Sequence, residues 1–269
     1  MKFWRTVVLS CLLATAVAGA AGFGVGVFHA RRATAATVAP PLVATTGVDP
    51  RIVAEVKAQL MNEMGLAPVS MLRDRRSSFV ELYTYDTLGK THYGTAGYLG
   101  HGYFITVKHA VVGMNGGDAE KAAKIDAVRV VYKGEEIPAK VVDTGDATVE
   151  VHRGDWAIIK SRELDLPALH VDTSFGFDFA APIFRLGNDY SRGIILSSGY
   201  VGQRTSNGLV TCLIDGHPGV SGGGVLDQRG DLVAIPIGRL DGDYRFSFLL
   251  PIRSEMLRKV PTLSAQDVD

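Results

Sequence analysis

The stretch HPGVSGGGVL, residues 217–226, places one serine among glycines just before an apolar run that is typical of a β-strand. Glycine lets the backbone approach a ligand closely and adopt angles that other residues avoid. A serine held there can expose its hydroxyl while backbone N–H groups point into the same small space, which suits a nucleophile beside an oxyanion hole. The same residues also suit an ordinary glycine-rich turn, so the interpretation depends on a base and an acid elsewhere in the chain.

The composition excludes some classes of function. The chain has 269 residues with 28 basic and 28 acidic side chains, and it has no basic stripe, so we expect no nucleic-acid partner. Hydrophobic residues make up 46% of the chain, enough for a folded core. The histidines are scattered and the folded part holds one cysteine, so no metal site and no cofactor are expected. That cysteine, Cys212, is predicted to be a small, buried, unreactive core residue.

Residues 1–32 are typical of a targeting segment. A short basic start precedes the uncharged run from Thr6 to Phe28, and Arg31-Arg32 closes it. The run is long enough to span a bilayer as a helix, whereas Ala18-Gly19-Ala20 resembles a signal-peptidase site. A retained membrane anchor and a cleaved signal peptide both stay open. Either one would export the rest of the chain, to the periplasmic or outer side of the cytoplasmic membrane or as a secreted protein.

Residues 33–76 are interpreted as a linker followed by an amphipathic helix. Asp49-Pro50 has the residues of a helix start, with Asp as the N-cap and Pro in the first helical position. Gly65 would end the helix. This helix is expected to pack on its own domain or to pair with another copy. Its apolar face consists of Val53, Val56, Leu60 and Met64.

From Ser77 onward the chain changes to short β-like runs broken by Gly and Asp. Many short strands at close spacing predict an all-β barrel or sandwich over residues 77–260. After residue 76, a helix is expected only at about Arg253 to Val260, with residues 261–269 as a tail.

One histidine and one aspartate have a context that suits catalysis. His109 follows the apolar run from Tyr103 to Val107, so the core would hold it while its ring faces a cleft. Asp155 stands just before the apolar strand in GDWAIIK, where it is a turn residue or the buried carboxylate that orients a histidine. Taken singly, His109 is better interpreted as a core histidine that is hydrogen-bonded to backbone.

The order His109, Asp155, Ser221, with the motifs YFITVKHAVV, GDWAIIK and GVSGG, resembles the trypsin-like serine protease family. The resemblance is closest to the bacterial high-temperature-requirement (HtrA) branch, through RLGNDYSRGIILSSGYVG, HPGVSGG and FSFLLPIRSEMLRKV. It covers about Phe79 to Val260 and implies an all-β fold with a double six-stranded β-barrel.

The resemblance implies a serine endopeptidase that hydrolyses polypeptides without a cofactor. Ser221 would attack the scissile carbonyl, His109 would take its proton, and Asp155 would hold the imidazole tautomer. The backbone N–H groups of Gly219 and Ser221 would form the oxyanion hole.

The resemblance also implies four substrate-binding residues: Asp215, His217, Ile237 and Gly238. Asp215 lies shortly before Ser221, where trypsin-type members carry the acid that binds Arg or Lys. The dipeptide Asp215-Gly216 is equally an ordinary turn.

Several positions depart from the family pattern. Val220 replaces the Asp of the digestive members, and Gly224 stands where Pro is usual. Lys108 puts a charge beside the histidine, and Pro236 removes an N–H from the strand expected to pair with the substrate. These departures leave open a catalytically silent binding or scaffold protein as the alternative function.

Two further expectations follow from the HtrA resemblance. No PDZ-like domain is expected after Val260. Homo-oligomers are expected through the N-terminal elements, with residues 49–65 as the contact.

Overall fold

The computed structural model describes residues 49–114, 124–189, 193–240 and 242–261. The chain divides into two units, Met1–Ala54 and Glu55–Asp269. The predicted targeting segment at residues 1–32 lies outside the described residues. Within the described ranges, no helix has both the length and the apolar character needed to cross a membrane.

Two helices precede the β-structure. Helix α1 is Pro50–Glu63, and it begins as predicted, with Arg51 N donating to Asp49 Oδ1 at 2.9 Å. It ends before Gly65, which has a φ of +62°. No residue of α1 is buried, and Val56 and Leu60 of its predicted apolar face are each at least half exposed. Helix α2 is Val69–Arg76 and was not predicted, because its one buried residue, Leu72, gives no apolar period.

The first barrel closes in the order β1-β2-β3-β6-β5-β4, with every neighbouring pair antiparallel. A short helix, α3 (Lys108–Val111), follows its third strand. The strands are β1 (Phe79–Asp86), β2 (Thr91–Gly100), β3 (Tyr103–Thr106), β4 (Ile125–Tyr132), β5 (Glu135–Thr144) and β6 (Ala157–Lys160).

The second barrel closes in the order β10-β11-β12-β9-β8-β7. The two closed barrels of six strands each confirm the predicted fold. The closing helix, α4 (Ser254–Leu257), is shorter than predicted. The strands are β7 (Pro182–Asn188), β8 (Ile194–Arg204), β9 (Val210–Leu213), β10 (Gly224–Leu226), β11 (Leu232–Leu240) and β12 (Asp243–Pro251).

Two apolar clusters form the core. The larger one runs from the first barrel into the second, and the smaller one fills the interior of the second barrel. Cys212 belongs to the smaller cluster and is buried, as predicted. Burial raises the pKa of its thiol to about 12, which keeps the sulfur protonated at neutral pH.

Candidate active site

His109 and Asp155 form a tight pair in the first barrel. His109 lies in α3, three residues beyond the end of β3, and Asp155 lies two residues before the start of β6. Strands β3 and β6 are neighbours, so both residues meet at one end of the barrel. His109 Nδ1 lies 2.6 Å from Asp155 Oδ2, and His109 N donates to Asp155 Oδ1 at 2.9 Å. Both carboxylate oxygens of the fully buried Asp155 are therefore engaged.

The pair fixes the chemistry of the imidazole. Burial lowers the pKa of His109, but the hydrogen bond and the negative charge of Asp155 raise it, and the net pKa is above its usual value. With Nδ1–H donated to the carboxylate, the neutral ring presents the lone pair of Nε2 as its proton acceptor. The arrangement is that of an oriented general base.

Lys108 does not bring its charge to the imidazole. Its Nζ donates to the carbonyl oxygens of Gly145 and Ala147, at 2.8 and 2.7 Å. These carbonyls lie between β5 and Asp155. Lys108 therefore ties the segment before the acid to the helix that carries the base.

Ser221 lies between β9 and β10, and Thr95 of the first barrel holds its loop. Thr95 N donates to Ser221 O at 3.0 Å, and Thr95 Oγ1 donates to Gly219 O at 2.7 Å. The same hydroxyl accepts a hydrogen bond from Asn188 N at 2.8 Å. Sequence reasoning missed Thr95, because a threonine within a strand carries no signal of its own.

Gly94 and Gly222 lie where the serine loop approaches the segment that carries His109. A Cβ at Gly94 would lie 3.5 Å from Ala110 Cβ and 3.5 Å from Ser221 O. The serine backbone and the residue after His109 therefore flank the same point. Gly222 has a φ of +79°, and a Cβ there would lie 2.9 Å from Val107 N. Only glycine fits at that position.

The backbone before the serine presents donors. Gly219 has a φ of +102°, while Val220 N donates to His217 O at 3.3 Å and closes a turn. In the described part of the chain, the N–H groups of Gly219 and Ser221 donate to no protein acceptor. Both are the groups that the sequence assigned to an oxyanion hole.

A cavity of about 640 Å³ adjoins Ser221. Three of the four predicted substrate-binding residues line it, namely His217, Ile237 and Gly238. Asp215 is exposed and is not among the lining residues. The lining comprises Glu150, Val151, Gly216, His217, Pro218, Val220, Ser221, Pro236, Ile237, Gly238, Arg239, Leu240, Ser247 and Phe248.

Glu150, Val151 and Arg239 of this lining were not predicted. Val151 has a φ of +56°, and its Cγ2 would lie 2.6 Å from a Cβ at Gly238. The segment before Asp155 therefore packs on the strand that was expected to hold substrate. No periodicity or motif marks these residues in the sequence.

Two of the sequence departures have structural reasons. A Cβ at Gly224 would overlap the ring of Phe79, which explains glycine at a position where the family usually has proline. The carbonyl of Pro236 accepts a hydrogen bond from Gly222 N at 3.1 Å, so Pro236 helps to hold the serine loop. Pro236 of β11 pairs with Leu249 of β12 and lies beyond the first residue of β10. Its missing N–H therefore removes no hydrogen bond to β10.

The described ranges contain no group of three or more His, Cys, Asp or Glu side chains that could hold a metal ion.

Known proteins share this fold. The Rv3671c protease from M. tuberculosis, in its active form, matches with a TM-score of 0.59 and 18% identity over 71% of this chain and 83% of that one. The serine endoprotease from Yersinia pestis matches with a TM-score of 0.56 and 18% identity, over 73% of this chain and 66% of that one. The HtrA-type protease AlgW with a tripeptide matches with a TM-score of 0.55 and 21% identity, over 67% of this chain and 58% of that one. The comparison with curated proteins gave no match.

The comparison with protein families gives the membership. A model described as a trypsin-like peptidase domain matches residues 94–235, from the strand that contacts the serine loop to the strand beside the cavity. This range is more than half of the chain and includes His109, Asp155 and Ser221. The chain therefore belongs to the trypsin-like peptidase domain family and is a serine endopeptidase.

Proposed function

We propose that the chain hydrolyses internal peptide bonds with Ser221 as nucleophile, His109 as general base and Asp155 as the orienting acid. The observation that carries this proposal is the double contact of Asp155, which binds both the ring and the backbone N–H of His109. A carboxylate held in this way fixes the ring orientation and the tautomer together.

The reaction proceeds in two stages. Ser221 Oγ attacks the scissile carbonyl while His109 Nε2 takes the hydroxyl proton, which leaves a tetrahedral oxyanion. His109 then gives that proton to the leaving amine, the C–N bond breaks, and an acyl-serine remains. Water, deprotonated by His109, hydrolyses the acyl-serine and restores the hydroxyl. Asp155 stabilises the imidazolium in both stages.

The N–H groups of Gly219 and Ser221 stabilise the oxyanion. The hydrogen bond from Thr95 Oγ1 to Gly219 O, together with the positive φ of Gly219, supports this assignment because the carbonyl is held on the Thr95 side. One such donor contributes about 2.7–4 kcal/mol of transition-state stabilisation.

The substrate is a polypeptide. The cavity beside Ser221 supports this assignment, because it adjoins the nucleophile and is lined by Ile237 and Gly238 of the strand expected to pair with the substrate main chain. AlgW, which shares the fold, is known with a tripeptide and with a decapeptide.

The protease acts outside the cytoplasm, with residues 1–32 as its anchor or signal. The basic start and the uncharged run support this part of the proposal. Copies associate through residues 49–65, in which Val56 and Leu60 of α1 and Met64 just after it are each at least half exposed. Membrane fractionation and light scattering of the full chain test these two statements.

Labelling with a fluorophosphonate, which reacts only with an activated serine, tests the catalytic proposal. We expect the full-length wild type to be labelled, and Ser221→Ala and His109→Ala to remain unlabelled. Ser198→Ala, which removes an exposed serine of β8, is the matched control and should label like the wild type. A well-folded wild type that resists labelling would mean that the barrel is a silent scaffold.

A further inference from the structure

The cavity beside Ser221 opens at the end of the second barrel's interior. Ser247 lines the cavity, and Leu249, two residues further along β12, belongs to the apolar interior. Alternate residues of a strand point to the same face, so the Ser247 side chain also faces the interior. Its Oγ donates to Ile214 O at 2.7 Å. Ser247 is therefore the floor that separates the cavity from the barrel interior.

A buried arginine lies behind this floor. Arg185 lies on β7 between Ile183 and Gly187. Ile183 belongs to the interior cluster, and a Cβ added at Gly187 would lie 3.3 Å from Val220 of the cavity wall. The three positions alternate and so share one face. The guanidinium therefore projects into the barrel interior on the side of the cavity. Arg185 is 1% exposed.

The hydrogen bonding of Arg185 is incomplete. Nη2 donates to Ser197 Oγ at 2.9 Å, whereas Nε and Nη1 are buried and have no partner within the described residues. A buried cation without full pairing costs several kcal/mol. Burial lowers the pKa of Arg185, and the neighbouring Cys212, Asp215 and Asp189 act in the opposite direction. Cys212 in turn contacts Ser247 O through its sulfur at 3.7 Å, which connects the arginine to the cavity floor.

A second arginine lies on the cavity wall. Arg239 is paired with Ser247 across β11 and β12, so both side chains lie on the same face. Its Nη1 donates to the carbonyl of Gly216, another lining residue, at 3.0 Å. The guanidinium therefore spans two walls of the cavity beside its floor.

Among the described residues that line the cavity, Glu150 is the one acidic side chain. Glu150 is an exposed lining residue, and its charge contributes to the raised pKa of His109, which puts it on the side of the first barrel. Asp215 is exposed and outside the lining. Among the described lining residues, Arg239 therefore lies beside the floor and Glu150 lies on the side of the first barrel.

We propose that this cavity binds an acidic side chain, Glu or Asp, of the substrate residue that precedes the scissile bond. Arg239 contacts the carboxylate, and Arg185 attracts it from behind the Ser247 floor. Guanidinium groups match carboxylates in both charge and geometry, and their pairing is strongest where water is excluded. The proposal rests on the proposed peptidase activity and names its substrate class.

Two peptide substrates that differ only in Glu or Gln at this position test the proposal with the full chain. Gln has nearly the same shape as Glu without the charge, so the ratio of their kcat/KM values reports the charge alone. We expect a ratio of at least about tenfold in favour of Glu, since each factor of ten is about 1.4 kcal/mol. A third peptide with Lys at this position tests the binding of basic side chains that was expected from Asp215. A ratio of one or less, or a preference for Lys, would overturn the proposal.

Variants of Arg239 and Arg185 test which guanidinium groups favour the acidic substrate. Arg239→Gln and Arg185→Gln should each lower the Glu/Gln ratio several-fold, and Arg185→Lys should retain part of it. Arg162→Gln, which removes an exposed arginine between the barrels' strands β6 and β7, is the control and should leave the ratio unchanged. If Arg185→Gln does not fold, the wild-type ratio and Arg239→Gln still decide.

Fluorophosphonate labelling separates the two possible failures. A wild type that is labelled but does not prefer Glu keeps the peptidase activity and loses the acidic preference. A wild type that is not labelled refutes the peptidase activity itself.

Discussion

Asp155 in the first barrel and Arg185 in the second are both buried charges, but their hydrogen bonding differs. In the first barrel, both oxygens of the fully buried Asp155 are engaged by His109. In the second barrel, the equally buried Arg185 has one partner, Ser197, and two nitrogens without a partner in the described part. A charge that must orient a base throughout the reaction is fully paired in the resting protein. The charge proposed to attract the substrate from behind the cavity floor, that of Arg185, has two buried nitrogens without a hydrogen-bond partner among the described residues.

Thr95 connects the two barrels. It lies on β2 of the first barrel and bonds to Gly219 and Ser221 from the loop of the second. The charge pair and the nucleophile belong to different barrels, so their alignment depends on such cross-barrel contacts.

The largest effect is expected from Asp155→Asn. The amide cannot accept hydrogen bonds at both positions, so His109 loses its tautomer and the imidazolium loses its counter-charge. We expect kcat to fall about 10⁴-fold, as measured with a chromogenic peptide. Asp126→Asn, at an exposed aspartate of β4, should keep wild-type activity. A loss of less than tenfold would mean that Asp155 is a structural residue.

A smaller effect is expected from Thr95→Val. Valine keeps the shape but removes the hydroxyl that binds Gly219 O and Asn188 N, and leaves those groups unpaired. Each unpaired buried group costs about 1–3 kcal/mol, so kcat/KM should fall about 10- to 100-fold. Thr84→Val is the matched control, because Thr84 is also a buried strand threonine and its hydroxyl has no partner among the described residues. Equal losses in both variants would remove Thr95 from the alignment of the site.

The pH dependence should report the raised pKa of His109. The protonated ring cannot accept the serine proton, so kcat/KM should rise with pH and level off above the His109 pKa. Because Asp155 raises that pKa, the midpoint should lie above the ordinary value of about 6.5. Below it, activity should fall about tenfold per pH unit. A midpoint below 6.5 would mean that burial outweighs Asp155.

The sequence predicted the parts of the molecule that depend on local pattern. The Asp49-Pro50 cap started a helix as expected, and the short apolar runs after Ser77 formed two barrels. His109 and Asp155 were predicted together, and their contact follows from the pairing of β3 with β6. These predictions rest on capping, alternation and motif order, which act over short stretches.

The rest depends on contacts between distant segments. Helix α2 has too few apolar residues to show a period, and Thr95 differs from other strand threonines only in what it meets across the barrels. Arg185 was part of a quoted motif, but nothing in the sequence distinguishes it from the exposed arginines that are the norm. Only the closure of the second barrel buries it.

The smallest expected effect tests whether the Arg185 guanidinium stabilises a Cys212 thiolate in the barrel interior. Burial raises the pKa of Cys212 while Arg185 lowers it, and burial prevails, with a pKa of about 12. At pH 8, about one thiol in ten thousand is then ionised, so iodoacetamide should leave Cys212 unmodified in the folded protein and modify it in urea. Peptide mapping by mass spectrometry distinguishes this site from Cys11. Rapid modification of the folded wild type, abolished by Arg185→Gln, would mean that the guanidinium stabilises the thiolate. The Arg185 charge would then be balanced by the Cys212 thiolate in the barrel interior. The acidic preference of the cavity would depend on Arg239 alone.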